Sequence, residues 1–155
     1  MKRAHLLLAG LLAGAAVSSA VAGAQTPQGS AHAAKAAKLQ VRSTSLGKIL
    51  VDSQGFTVYR FTKDRRNKDT CVTTSGCAEV WPPLTTSGRP IAGAGVKASL
   101  LSMIKLTGGG KQVTYAGHPL YLYKPATERG ETSYVGVTSF GGTWDAVNAA
   151  GGLVK

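Results

Sequence analysis

The chain has 155 residues and a formal net charge of +11, with 18 Lys and Arg against 7 Asp and Glu. That length suits one domain, and the basic excess points toward anionic envelope polymers, lipid headgroups or nucleic acid. With His118 as the single histidine of residues 39–155, two-histidine metal sites are excluded there and one candidate base remains.

Residues 1–24 read as a signal peptide. Lys2 and Arg3 form a basic start, Leu6 to Val17 is a run of Leu, Ala, Gly and Val, and Ala22-Gly23-Ala24 fits cleavage before Gln25. No cysteine lies at that point to take a lipid, so a soluble exported protein is expected, secreted or periplasmic. Cleavage removes Lys2 and Arg3 and no acid, leaving a formal charge of 11 − 2 = +9. Residues 25–38 have no aromatic or branched apolar side chain able to offset ordering entropy, and read as a flexible lead-in. A single domain is then expected over 39–155.

Lys48 to Asp52, a turn at Ser53-Gln54-Gly55, and Phe56 to Phe61 read as a β-hairpin, because both flanks are rich in β-branched and aromatic residues. A dense cationic cluster follows at Lys63, Arg65, Arg66 and Lys68, a possible contact for polyanions. Asp64, Asn67 and Asp69 superficially suggest a calcium loop, but the interleaved cations and the spacing argue against it, and no metal is expected. Cys71 and Cys77 are expected to form a structural disulfide, since an exported chain carries them as an even pair. Zinc would want a second ligand pair, and C-x₅-C is not the spacing of thiol oxidoreductases.

Trp81-Pro82-Pro83 closes the cysteine loop. Gly93-Ala94-Gly95-Val96-Lys97-Ala98 matches a dinucleotide-loop pattern, but no buried strand precedes it and no acid follows near twenty positions on. Val96 to Leu106 is the best helix candidate, with Val96, Leu100, Met103 and Ile104 on one face and Thr107-Gly108 as a stop. Gly108-Gly109-Gly110-Lys111 is no P-loop, because Lys105 stands where the first required glycine would be. Lys111 to Tyr115, Ala116-Gly117 and His118 to Tyr123 read as a second hairpin, with Pro119 placing its return strand at an edge. Thr143 to Val147 reads as a last strand.

The two hairpins are copies of one pattern. Val51, Gly55, Tyr59 and Phe61 recur as Val113, Gly117, Tyr121 and Tyr123 at an offset of 113 − 51 = 62, while Trp81 recurs as Trp144 at 63. A fixed-period repeat means two similar units completing one core, here about 46–88 and 109–151. The expected fold is mainly β: a small pseudo-symmetric two-repeat β domain with one or two short helices. The recurring aromatics Tyr59, Phe61, Trp81, Tyr121, Tyr123 and Trp144 are assigned to that core rather than to stacking on bases or sugars.

Tyr59, Phe61 and Asp64, with Cys71, Cys77 and Trp81-Pro82-Pro83-Leu84, resemble the bacterial secreted-repeat family of predicted lipoproteins with a Y-x-[FWY]-x-x-D motif. Tyr115 to Tyr123 and Phe140-Gly141-Gly142-Thr143-Trp144 resemble it as well. The resemblance implies an exported, mainly β envelope protein and supplies no catalytic residue. The second copy departs from the motif, with Ala126 at the place of the aspartate, and the chain has no lipobox cysteine.

These readings lead to an exported, non-enzymatic binding or structural module of the envelope, monomeric and without cofactor. Its expected partner is an anionic envelope polymer or a membrane surface, with no specific nucleic acid. The alternative is a hydrolase of an envelope polymer using one carboxylate or His118. A cleft gathering Asp64, Asp145 or His118 would favour it. No G-x-S-x-G elbow and no C-x-x-C-H haem motif is present.

Overall fold

The computed structural model describes residues 35–155. The expected signal peptide (1–24) and most of the expected lead-in (25–38) therefore lie outside the described residues. Ten strands, one helical turn and one 3₁₀ turn make up the fold. Lys38–Thr44 (β1), Gly47–Asp52 (β2) and Ile91–Ala92 (β4) form one sheet in the order β2-β1-β4. Leu101–Lys105 (β5), Lys111–Tyr115 (β6) and His118–Pro119 (β7) form a second in the order β5-β6-β7. Tyr59–Phe61 (β3), Gly142–Val147 (β9) and Leu153–Val154 (β10) form the third, with Val137–Ser139 (β8) also beside β9. Among the described residues, no helix is long and apolar enough to cross a membrane.

The repeat is a two-strand ribbon that turns into a third strand. β1 pairs antiparallel with β2, setting Leu39 against Asp52 and Val41 against Leu50. β5 pairs with β6 in the same way, setting Leu101 against Tyr115 and Met103 against Val113. The first strands are thus offset by 101 − 39 = 62 and the second strands by 113 − 50 = 63. The turns absorb the difference. In the first copy three residues, Ser53-Gln54-Gly55, separate Asp52 from Phe56, whose carbonyl accepts the Asp52 amide at 2.8 Å. In the second, two residues separate the paired Tyr115 and His118, with Ala116 at φ 51° and Gly117 at φ 79°. Two successive left-handed residues make the tight hairpin turn whose twist matches the strands. Beyond the turns the offset returns to 62.

Tyr59 and Tyr121 mark the pseudo-two-fold axis. The Tyr59 amide donates to the Tyr121 carbonyl at 2.9 Å, and the Tyr121 amide donates to the Tyr59 carbonyl at 3.0 Å. On its other side Tyr59 faces Ala146 of β9, and Tyr121 faces Pro83. The first hairpin therefore begins as expected, with Val51 opposite Thr57, and then hands its return strand to β9 instead of continuing along β2. The second does the same after Pro119, which lies on an edge strand.

The core repeats too. One buried cluster joins Leu39 and Leu101, Leu50 and Val113, Val58 and Leu120, and Leu84 and Val147, four pairs of equivalent residues. Each such side chain contributes roughly 1.5–3 kcal/mol when fully buried.

The expected helix over Val96 to Leu106 is absent. Ala98–Leu100 is a single 3₁₀ turn, and Leu101 onward is β5, the counterpart of β1. The apolar spacing fits a short helix, but five paired positions with β6 decide for the strand. Long-range pairing overrides a weak local period.

Candidate functional site

The motif aromatics meet in one column at the junction of the copies. Phe61 stacks on Trp144 at 4.2 Å between ring centroids, Trp144 on Trp81 at 4.2 Å, Trp81 on Tyr123 at 4.6 Å, and Tyr123 on Tyr134 at 3.8 Å. The two tryptophan rings are nearly parallel, 3° apart. Tyr59 meets Trp81 edge-on at 5.2 Å, and Tyr121 meets Trp144 edge-on at 5.1 Å. Each copy thus places its tyrosine against its own loop's tryptophan, on either side of the axis. Tyr59, Phe61, Trp81, Tyr121 and Trp144 are buried and belong to the core, while Tyr123 and Tyr134 at the end of the column are half-buried.

The motif aspartate locks the copies together. Asp64 Oδ2 accepts the Tyr121 hydroxyl at 2.6 Å, and Asp64 Oδ1 accepts the Thr70 amide at 2.8 Å and the Thr70 hydroxyl at 2.6 Å. Burial pushes the Asp64 carboxyl above its usual range, against the pull of the Thr70 and Tyr121 bonds, and Asp69 adds a smaller upward push. Burial beside Asp64 likewise raises the Tyr121 phenol. The second copy has no such lock. Ala126 holds the matching backbone position, its amide reaching the Tyr123 carbonyl at 3.1 Å as Asp64 reaches Phe61 at 3.1 Å. Tyr59, which an aspartate there would serve, has only the Glu131 carbonyl at 3.5 Å.

Cys71 and Cys77 are joined in a disulfide and are buried beside the column. Asp69 Oδ1 accepts the Val72 amide at 2.9 Å at the start of this loop. The basic loop therefore turns Asp64 and Asp69 inward. Lys63, Arg65, Arg66 and Lys68 are all exposed. Their loop is docked on the second hairpin turn, with the Asn67 amide donating to the Gly117 carbonyl at 2.7 Å and Arg66 Nη1 donating to the Ala116 carbonyl at 2.9 Å. Glycine suits position 117 through its φ of 79°, and its missing side chain leaves room for the Arg66 guanidinium, which lies 2.8 Å from where a Cβ would stand.

A second charged group went unread in the sequence. Arg60 on β3 lies directly opposite Asp145 on β9. Asp145 is buried, and neither of its carboxylate oxygens has a hydrogen-bond partner among the described residues. Burial raises its carboxyl, opposed by the charges of Lys155 and Arg60. Arg60 Nη1 donates to the Gly151 carbonyl at 3.0 Å. His118 directly follows Gly117, on which the loop is docked, and pairs with Tyr115. Burial lowers its imidazole below the ordinary histidine range, and Arg60 and Arg66 lower it further. Alternation in two strands 85 residues apart (145 − 60) was the available signal for the Arg60–Asp145 pair, but only the pairing itself reveals it. Thr70 and Tyr134 carry no such signal.

Among the described residues, none of the cavities found has Asp64, Asp145 or His118 in its wall. A cavity of about 240 Å³ is walled by Phe56, Pro82, Leu122 and Tyr123, and one of about 200 Å³ by the Asn67–Thr70 segment and Ile104–Thr107. Neither has any of the three in its wall. Among the described residues no three His, Cys, Asp or Glu side chains are grouped to hold a metal ion.

The fold and its junction define a two-copy β domain whose copies share one aromatic core and one motif carboxylate. The chain belongs to the family described as a secreted repeat of unknown function, whose model matches it twice, over residues 40–85 and 102–148. No curated protein and no solved structure matches it.

Proposed function

We propose that the protein is an exported, non-enzymatic module of the cell envelope, secreted or periplasmic, that binds an anionic envelope polymer or membrane surface through its basic loop. One observation carries this reading: the 63–69 loop turns Asp64 and Asp69 inward, where Asp64 and one oxygen of Asp69 accept internal bonds, and leaves four cations exposed. Inward Asp64 and Asp69 keep the loop in one shape while removing the acids that would neutralise it. The burial of the motif aromatics supports a structural rather than catalytic role for them.

Binding by charge releases counterions from the polymer. Affinity should then fall with log salt at a slope of about −0.7 per neutralised charge, near −3 for the whole loop. The test is a salt titration of binding to an anionic polymer for the wild type and for Arg65→Ala/Arg66→Ala. The double variant should make the slope shallower by about 1.4. An unchanged slope, or no binding at low salt, refutes the loop as the contact.

A further inference from the structure

The aromatic column is core over most of its length, but toward its end it meets a cavity. Phe61, Trp144 and Trp81 are buried, whereas Tyr123, stacked on Trp81 at 4.6 Å, is half-buried and stands in the wall of the cavity of about 240 Å³. Phe56, Pro82 and Leu122, each half-buried, complete the apolar wall, and Asp52 and Lys124 bring polar groups to it. These segments are pinned through their backbones. The Asp52 amide donates to the Phe56 carbonyl at 2.8 Å, the Leu122 amide to the Pro82 carbonyl at 3.0 Å and the Lys124 amide to the Val80 carbonyl at 3.0 Å. The Asp52 side chain is fixed as well. Its Oδ1 accepts the Gln54 and Phe56 amides, both at 2.9 Å, and among the described residues Oδ2 has no partner.

The copy-related place is filled by the chain itself. Leu122 corresponds to Arg60 at an offset of 122 − 60 = 62, and Pro82 to Asp145 at 145 − 82 = 63. There Arg60 stands opposite Asp145 and its Nη1 reaches the Gly151 carbonyl at 3.0 Å, so charged side chains and the C-terminal segment occupy the position. Here the same two backbone positions carry Leu122 and Pro82, and the cavity lies against them. We infer that this cavity binds one sugar ring of a neutral saccharide. A pyranose ring has apolar C–H faces and an edge of hydroxyl groups. The wall matches both, with aromatic and aliphatic carbon for the faces, and a fixed carboxylate oxygen and an ammonium for the hydroxyls. The charges of Asp52 and Lys124 cancel, so the wall selects no net charge. A lipid tail would strip both groups of water and replace none of it. Pockets for drug-sized ligands run to about 300–1,000 Å³, so about 240 Å³ suits a single ring. The site stands apart from the basic loop, since none of Lys63, Arg65, Arg66 and Lys68 is in its wall.

The experiment titrates the protein with chitotriose and with cellotriose and follows its backbone amides by NMR. Shifts are expected at Gln54, Phe56, Leu122, Tyr123 and Lys124, with a dissociation constant on the order of 1 mM for at least one of the two sugars, the affinity open to one buried ring. Phe56→Ala leaves the backbone bonds of residue 56 in place and should weaken binding about 5-fold. Asp52→Asn should weaken it about 10-fold, because its oxygen keeps both amide bonds while the second acceptor becomes a donor. Lys124→Met, at an exposed position that carries no part of the core, should weaken it about 3-fold. Arg65→Ala/Arg66→Ala should leave sugar binding unchanged, and added salt should not weaken it, whereas the polyanion contact weakens on both counts. Each site can therefore fail without the other. Poly-L-proline probes a peptide as the occupant: shifts at these amides with that polymer and none with either sugar overturn the assignment. No shift with either sugar at about ten times the expected constant overturns it too, as does sugar binding that keeps its full strength in both Phe56→Ala and Asp52→Asn.

Discussion

Removing one oxygen atom from each of two equivalent tyrosines should have unequal effects. Tyr59 and Tyr121 are both buried, sit edge-on to a tryptophan at 5.2 and 5.1 Å, and bond to each other through their backbones. Their hydroxyls differ. Tyr121 donates to a half-buried carboxylate at 2.6 Å, whereas Tyr59 points at a backbone carbonyl 3.5 Å away. A hydrogen bond to an ionised group contributes about 1.5–3 kcal/mol, and a long neutral one contributes at most about 0.5 kcal/mol. Tyr121→Phe should therefore cost about 1.5–3 kcal/mol near neutral pH, or roughly 6–12 °C in Tm at about 4 °C per kcal/mol for a domain of this size. Tyr59→Phe should cost less than about 0.5 kcal/mol. Urea unfolding followed by fluorescence of Trp81 and Trp144 reads both. Adding Asp64→Asn completes a double-mutant cycle, in which the Tyr121–Asp64 coupling should exceed about 1 kcal/mol. Equal losses in the two phenylalanine variants would refute the lock and leave packing as the whole role of the motif.

Ala126→Asp should restore the missing second lock, because Ala126 and Asp64 make the same backbone bond at 3.1 Å; a gain of about 0.5–1.5 kcal/mol in the wild type and none in Tyr59→Phe is expected from the same urea assay. Asp145 is a buried acid whose carboxyl is raised, so its folded form favours the proton. Its contribution is present in full below the ordinary aspartate range and is lost as pH rises through the raised value. Asp145→Asn should therefore gain on the wild type between pH 4 and pH 7 in paired denaturation curves; a variant that loses ground over that range would show that Arg60 and Lys155 outweigh burial.

Much of the junction was legible because aromatic side chains at a fixed offset are hard to place except in a shared core. Tyr59 and Tyr121, Phe61 and Tyr123, and Trp81 and Trp144 do occupy equivalent positions there. The ribbons that carry them were less legible. β1 begins at Lys38, inside the segment read as a lead-in, and its counterpart β5 carries the spacing read as a helix. Both strands are specified by partners, so neither declares itself locally. The step in offset from 62 to 63 has a local cause, one residue more in the connection from β5 to β6 than in that from β1 to β2. One residue more in Ser53-Gln54-Gly55 reverses it, but both become visible only when the pairs are known. Asp64 could be named from the motif. That its bond crosses 57 residues to the other copy's tyrosine could not.

The two copies also differ in the charge of the loops that follow their motif aromatics. After the motif aromatics, each chain makes the same turn and enters a loop. In the first copy that loop exposes Lys63, Arg65, Arg66 and Lys68, with its acids folded inward. In the second, the corresponding stretch runs Pro125 to Glu131, where Glu128 and Arg129 are exposed and Glu131 is half-buried. One scaffold thus presents a cationic loop and a nearly neutral one at related positions. The difference begins at a single residue. Asp64 ties its loop to the core through Tyr121 and Thr70, whereas Ala126 offers no carboxylate and the second loop is held by the Gly130 amide on the Gly55 carbonyl at 2.8 Å. A pseudo-symmetric core with an asymmetric lock thus carries four exposed cations on one loop and a mixed set of charges on the other without any change of fold.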